Sequence, residues 1–274
     1  MKKQWPIGLV VEGNITHSSI LRMPRLVEDL GPIKSATGRV ARRVSNFLKA
    51  GHPVADYEEL QTAQMVLIRA PDDAIPRVVE EIFVANLDLK DISFVLCESW
   101  LDLEALQALR LRGASAASLL TVPSSHNKWF VIEGDSTATR QMRRFIELNG
   151  ARALELRTGG TPAYFAAELL ATALPMPVLL AAQAALRSSG ISGNNVSILL
   201  NEMVQTMFRD IMNGARGTWG GPLAECSEEV ARRHMAAFCD SDPQIAEVVN
   251  YQLEWARQRM TKQKSIASGP GGTH

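Results

Sequence analysis

The feature that most constrains this chain is an alternation through its first 157 residues. Short apolar runs are each followed by an amphipathic stretch and a turn signal. Ile7–Val11 is apolar at every position rather than at every second one, as expected of a strand covered on both faces in a parallel sheet. A helical pattern over 18–30 ends at Gly31-Pro32, a stop signal. A short strand is predicted over 33–36, then a basic helix over 38–50 closed by Gly51. Residues 53–55 read as another short strand and 65–70 as a much clearer one. Pro71-Asp72-Asp73 supplies the next turn, with aspartates placed to cap a helix over 74–85. Strands over 94–97, 115–122, 129–133 and 153–157, with helices over 101–112 and 137–149, complete the series. Alternation of this kind specifies a doubly wound α/β sheet.

After Gly159-Gly160-Thr161-Pro162 the pattern changes, and residues 163–260 read as helix with breaks at 175–177, 188–194, 213–222 and 240–243. The expected organisation is an α/β domain over 1–160, an all-α domain over 161–260 and a polar, Gly-rich, disordered tail over 261–274. The most apolar stretch, 166–186, is interrupted by Glu168, Pro175, Pro177 and Gln183, and reads as a buried, broken helix rather than a membrane span. The apolar run after the two N-terminal lysines is too short for a signal peptide. Lys+Arg and Asp+Glu both number 29, so no basic excess draws the chain to nucleic acid or to an anionic membrane. Cys97, Cys226 and Cys239 are odd in number and widely spaced, which fits neither a disulfide framework nor a zinc site and suits a reducing cytoplasm. His234 has no His, Cys or Asp at ligand spacing, so no metal site is expected.

The first strand runs into Val11-Glu12-Gly13-Asn14-Ile15-Thr16, where a dinucleotide-binding protein places its GxGxxG loop. That loop needs glycine for a tight turn and for close approach of backbone to pyrophosphate. Only the middle glycine, Gly13, is kept, and Glu12 brings a negative charge near the phosphate position unless it points away. The alternative is a plain strand–turn–helix with one turn glycine. At the end of the second strand, Ser35-Ala36-Thr37-Gly38-Arg39 lacks the acid that would hold the ribose hydroxyls of NAD. Arg39 suits a 2′-phosphate, with Arg42 and Arg43 nearby, so NADP is favoured over NAD; the alternative is a solvated basic helix face.

Taken together, IGLVVEGN, RVARRVSNFLKAGHPVADYEEL, VLIRAPDDAIPRVV, FVLCESWLDLEALQALRLRGA and SLLTV, with GTPAYFAAELLATA and TWGGPLAECSEEVARRHMAAF in the second half, resemble a known family. It comprises the Rossmann-like proteins with a C-terminal helical domain of unknown function. These are relatives of pyrroline-carboxylate reductase, ketopantoate reductase and the deazaflavin-dependent NADP reductases, and share the 6-phosphogluconate-dehydrogenase-type C-domain. The resemblance covers roughly residues 6–260. It implies a Rossmann-type α/β unit followed by an all-α domain, a homodimer built through the helical domains, and an NAD(P) site in the cleft between domains, with a small-molecule substrate. It implies Gly13, Asn14 and Ile15 under the pyrophosphate, Ala70, Pro71 and Asp72 beside the cofactor ribose, and Cys97 to Ser99 near the nicotinamide. Two imidazoles that many relatives carry are replaced, by Tyr164-Phe165 and by Leu120-Thr121-Val122-Pro123.

A hydride-transfer reductase also needs a proton donor. The candidates are Glu98, Ser99, Tyr164, Glu168 and Asn201. Glu168 is either an acid with raised pKa or a partnered structural glutamate, and Asn201 either a substrate donor or an exposed side chain. Cys97 reads as a small buried hydrophobe ahead of a nucleophile. The stripe Met203, Met207, Ile211 packs in the core or across a dimer. Trp219 lies on a loop that could line the cleft, or is simply a loop aromatic. The functional expectation is an NAD(P)-dependent oxidoreductase-like protein; the rival is a non-catalytic ligand-binding or regulatory descendant.

Overall fold

The five consecutive apolar residues Ile7–Val11 form β1, and all five are buried, as both faces of the strand are covered. The computed structural model describes residues 7–13, 18–123, 129–213, 221–222, 226–241, 243 and 246–255. Its chain forms two compact units, Met1–Ala167 and Glu168–His274. In the first unit, β1 is joined by β2 (Leu30–Lys34), β3 (His52–Pro53), β4 (Met65–Arg69), β5 (Ser93–Cys97), β6 (Ser115–Thr121), β7 (Trp129–Gly134) and β8 (Arg152–Glu155). The sheet order is β3-β2-β1-β4-β5-β6-β7-β8. Every neighbouring pair is parallel except β6 and β7. This is the Rossmann-type doubly wound sheet, followed by an all-helical region.

Strand side chains sort alternately onto the two faces. Leu9, Val11, Leu67, Val95 and Cys97 pack in one layer with α1 (Pro24–Asp29), α2 (Gly38–Leu48) and α5 (Ser136–Leu148). Val10, Val66, Ile68, Phe94 and Leu96 pack in the other with α3 (Ile75–Val84) and α4 (Gln107–Leu111). Each fully buried Leu, Ile or Phe contributes about 1.5–3 kcal/mol, so this double layer dominates the unit's stability.

Two local expectations are corrected. The helix expected over 18–30 is a 3-10 turn, Ile20–Arg22, followed by the short α1, with Pro24 at its first position. Gly31-Pro32 does not stop that helix in a loop; both residues lie inside β2. Ile7 pairs with Leu30 but Leu9 with Ile33, so β2 carries one extra residue there. Proline lacks the ladder N–H and is tolerated at such a bulge.

The β6–β7 corner holds polar groups that the sequence does not advertise. Asp135 accepts from the Ala116 amide (2.8 Å) and from Arg110 through Nε (3.1 Å) and Nη2 (2.8 Å). Glu133 is buried and accepts from the amides of Gly159 (2.5 Å) and Thr161 (2.9 Å) and from Thr161 Oγ1 (2.5 Å). It thereby fastens β7 to the start of α6 (Thr161–Ala171).

The described residues of the second unit are mainly helical, with α7 (Pro175–Ser188), α8 (Asn194–Met212) and α9 (Glu228–Ser241). The apolar stretch 166–186 is broken at 172–174, ahead of Pro175, but it is not buried in this chain. Among its side chains Leu170, Leu174, Met176 and Leu180 are each more than half exposed. Residues 161–188 have the length and apolarity of a membrane-crossing helix by composition alone. On α8 the stripe Met203, Met207, Ile211 is also more than half exposed, so it does not pack in the core of its own chain.

Gly134 faces Ala117 across the β6–β7 ladder, and a Cβ there would stand 2.3 Å from the Ala116 carbonyl oxygen and 2.5 Å from Ala117 Cα. Both obstacles are backbone and cannot rotate away. Gly134→Ala should therefore cost about 3 kcal/mol, the upper range for overpacking. Urea unfolding measures it, and a loss below about 1 kcal/mol would contradict this account.

Candidate functional site

From β1 the chain steps outward to β2 and β3, then returns past β1 to form β4. Connections leaving β1 and β4 in opposite directions open a crevice at their carboxyl ends, where ligands bind in open α/β sheets. Three strand ends converge there: Glu12-Gly13 after β1, Ala70-Pro71-Asp72 after β4 and Glu98-Ser99 after β5. Gly13 is in the left-handed region (φ +71°), and a Cβ on it would stand 2.9 Å from Pro71 Cγ. Glycine is required there by conformation and by space. Asn14, Ile15 and Thr16 lie outside the described residues.

Glu12 does not point its charge at the loop. Its carboxylate pairs with Arg77 of α3, whose Nη1 also donates to Glu81 Oε1 (2.8 Å). Glu81 in turn accepts from the Tyr57 hydroxyl at 2.8 Å.

Glu98 holds the strand ends together. Its Oε2 accepts from Arg69 Nε at 2.8 Å. Its Oε1 accepts from the amide of Ser19 at 2.6 Å and of Ile20 at 3.4 Å, where the chain re-enters helical structure after the glycine turn. Its own amide donates to the Leu119 carbonyl at 2.7 Å. The side chain is only 12% exposed, and its backbone is left-handed (φ 58°), uncommon for a residue other than glycine. From the sequence, Glu98 is a candidate proton donor within the 97–99 run expected near the nicotinamide, and Arg69 is not singled out. The available signal is a pair of opposite charges closing two otherwise apolar strands.

Asp72 does not cap α3, as expected from the sequence. The cap position is Ala74, with no side-chain cap, and Asp72 Oδ1 accepts from Ser99 Oγ at 2.7 Å. Ser99 Oγ also accepts from the Leu101 amide at 3.1 Å, so this buried serine links the ends of β4 and β5. Ala70 is buried beneath them. The Cys97 thiol is directed into the core rather than toward the crevice, and burial pushes it well above the ordinary thiol range. It can touch no ligand.

At the end of β2, Ser35 is buried, donating to the Thr37 carbonyl (2.5 Å) and accepting from the Ala41 amide (3.0 Å). This fixes the turn into α2. Arg39, Arg42 and Arg43 follow on its first turns and are exposed. Beyond β5, Trp100 stacks on Tyr164 (centroids 6.1 Å apart, 25° between planes) and meets Phe165 edge-on at 5.0 Å.

The remaining candidates fall in the second unit. Glu168 Oε2 is out of solvent and has no hydrogen-bond partner. Asn201 is exposed and accepts from Gln205 at 3.3 Å. His234 is exposed, and among the described residues no cluster of His, Cys, Asp or Glu could hold a metal. Trp219 lies outside the described residues.

No family model matches the chain, and neither does any curated protein. Solved structures do match over nearly its whole length. An imine reductase from Aspergillus terreus in complex with NADPH4 and dibenz[c,e]azepine matches with a TM-score of 0.70 at 13% identity, covering 99% of this chain and 96% of that one. An imine reductase from Myxococcus stipitatus in complex with NADP+ matches at 0.66 and 13%, covering 92% and 94%. A pyrroline-5-carboxylate reductase from Coxiella burnetii matches at 0.56 and 11%, covering 94% and 96%. The chain shares the Rossmann reductase fold, as the sequence motifs implied.

The placement of Cys97 has a direct consequence. In the native protein it should resist iodoacetamide at pH 8, while half-buried Cys226 is alkylated, and it should react only after denaturation. Peptide mapping checks this. Rapid native labelling of Cys97 would show that the end of β5 is open to solvent.

Proposed function

We propose that this protein binds NADP(H) at the carboxyl edge of its sheet and acts as an oxidoreductase on a small molecule. One arrangement carries the reading. The left-handed Gly13 turn lies closely against Pro71 at the crossover point, one strand away from a buried Ser35 that sets the basic start of α2. Gly13 fits the nucleotide because no Cβ stands between backbone and phosphate. Arg39, on the first turn of α2, fits a 2′-phosphate through its planar fork. Glu12 is paired with Arg77, which it shares with Glu81, so its carboxylate is drawn toward α3. When bound, the cofactor supplies the hydride. The chain's own part is to orient it by these backbone and arginine contacts and to keep the ends of β4 and β5 in register through Asp72 and Ser99.

The free thiols Cys97 and Cys226 support placing the protein in a reducing cytoplasm. A second reading, a binding protein without hydride transfer, is favoured by one observation, the Glu98 carboxylate standing at the crevice. NADPH binding without its oxidation across a panel of imines, oxo acids and aldehydes would establish that reading instead.

We further propose a homodimer through the helical unit. Ile198, Met203, Met207, Phe208 and Ile211 on α8, with Met176 and Leu180 on α7, are all more than half exposed. An apolar face of that extent is costly in a monomer and marks an association surface. A second copy covers it with a like surface.

Two measurements follow. Arg39→Ala should weaken NADPH binding by ~1.5–3 kcal/mol, the range for charged hydrogen bonds, and spare NADH; calorimetry with both cofactors decides it, and equal losses would remove Arg39 from the site. Light scattering should give a dimer for the wild type and a monomer for the Met203→Glu, Met207→Glu double variant. A monomeric wild type would defeat the dimer proposal, and its capture by phosphatidylglycerol vesicles would assign the face to a membrane.

A further inference from the structure

The formal net charge of zero hides two unlike layers in the first unit. The side of the sheet covered by α1, α2 and α5 is built from residues 18–51 and 135–152, which hold eleven Lys and Arg against four Asp and Glu. The side covered by α3 and α4 is built from residues 55–64, 70–92 and 98–114, which hold four Lys and Arg against twelve Asp and Glu. On the first side α2 carries three arginines and no acid. Arg39, Arg42, Arg43, Arg140 and Arg144 are exposed there, and among the described residues no carboxylate pairs with them. On the other side Asp73, Glu80 and Glu104 are exposed and likewise have no Lys or Arg paired with them among the described residues. Each layer also exposes apolar side chains beside its charge, Val27 and Phe47 on the basic one and Phe83, Val84 and Leu111 on the acidic one. Aromatic and aliphatic side chains at the centre and charge at the rim are the composition of protein interfaces.

We infer that the first unit docks on a second copy of this chain, the α1–α2–α5 layer of one protomer against the α3–α4 layer of the next. A nucleic acid or an anionic lipid surface would answer the basic layer alone and leave the acidic one without a partner. A second copy answers both at once, and opposite potentials on the two layers steer the encounter and fix its register. The contact joins unlike faces, so it is heterologous and adds copies until a ring closes or an open stack forms. It is separate from the dimer through α7 and α8, which rests on apolar area rather than on charge.

Sedimentation velocity on the full chain tests it at about 0.01 M and about 1 M salt, between which the screening length falls from about 30 Å to about 3 Å. The size at high salt reports on the α7–α8 dimer alone. At low salt the wild type should at least double that mass. Arg43→Glu, Arg140→Glu, Arg144→Glu reverses the basic layer, and Glu58→Lys, Glu80→Lys, Glu104→Lys the acidic one. All six side chains are exposed, so the fold should be retained, as circular dichroism verifies. Arg39 is left in place and with it the 2′-phosphate contact. Each triple variant alone should keep its high-salt size at low salt, and an equimolar mixture of the two should regain the assembly. Arg157→Glu, Arg232→Glu, Arg233→Glu alters net charge as the basic-layer variant does but spares both layers, and should assemble like the wild type. A wild type of one size at both salts would overturn the inference, and its binding to phosphatidylglycerol vesicles or single-stranded DNA would give the basic layer to a lipid or a nucleic acid. A mixture that stays dissociated would overturn it too. So would loss of assembly in the Arg157 variant, since net charge rather than the two layers would then be at work.

Discussion

Everything in the first unit depends on both faces of its sheet being covered. The interior strands β1 and β5 have no face on which to carry polar chemistry, and their side chains are buried along their whole length. Charged groups can therefore appear only where those strands end. The crossover between β1 and β4 brings three such ends together, so the polar cluster at Glu12, Arg69, Asp72, Glu98 and Ser99 is a direct consequence of sheet order. Where a buried carboxylate does lie within a strand, Glu133 of β7, two amides and a hydroxyl satisfy it; left without them it would cost several kcal/mol.

How that cluster is balanced matters more than its composition. Glu12 is turned toward α3 and paired with Arg77, a guanidinium that it shares with Glu81. Glu98 is directed the other way, into the crevice, and takes both an arginine and two backbone amides. Both acids next to the turn are thus held by an arginine, Glu98 by one of its own and Glu12 by one shared with Glu81. Residue type alone does not separate them; the element supplying the counter-charge does.

The same distinction explains what could be read from the sequence. Runs apolar at every position, such as Ile7–Val11 and Phe94–Cys97, announce two-faced burial, and all eight strands lie close to their expected places. Gly31-Pro32 was ambiguous because proline marks a turn and a bulge equally well; only the register of β1 on β2 decides. Asp72 carried a capping signature, yet its carboxylate meets Ser99, a residue 27 positions away that only the β4–β5 pairing brings near. Arg69 and Glu98 are likewise partners across that register, and no local spacing predicts them. On α8 the stripe at Met203, Met207 and Ile211 was legible as a packing face, while its exposure shows that its own chain does not provide the cover.

The left-handed backbone at Glu98 allows the two sides of its energetics to be compared. For a non-glycine residue that conformation costs roughly 1–2 kcal/mol. Each hydrogen bond to a charged group contributes about 1.5–3 kcal/mol when its partner is shielded. With a side chain only 12% exposed and close donors at Ser19 and Arg69, the carboxylate gains more than the backbone loses, and the strained conformation persists.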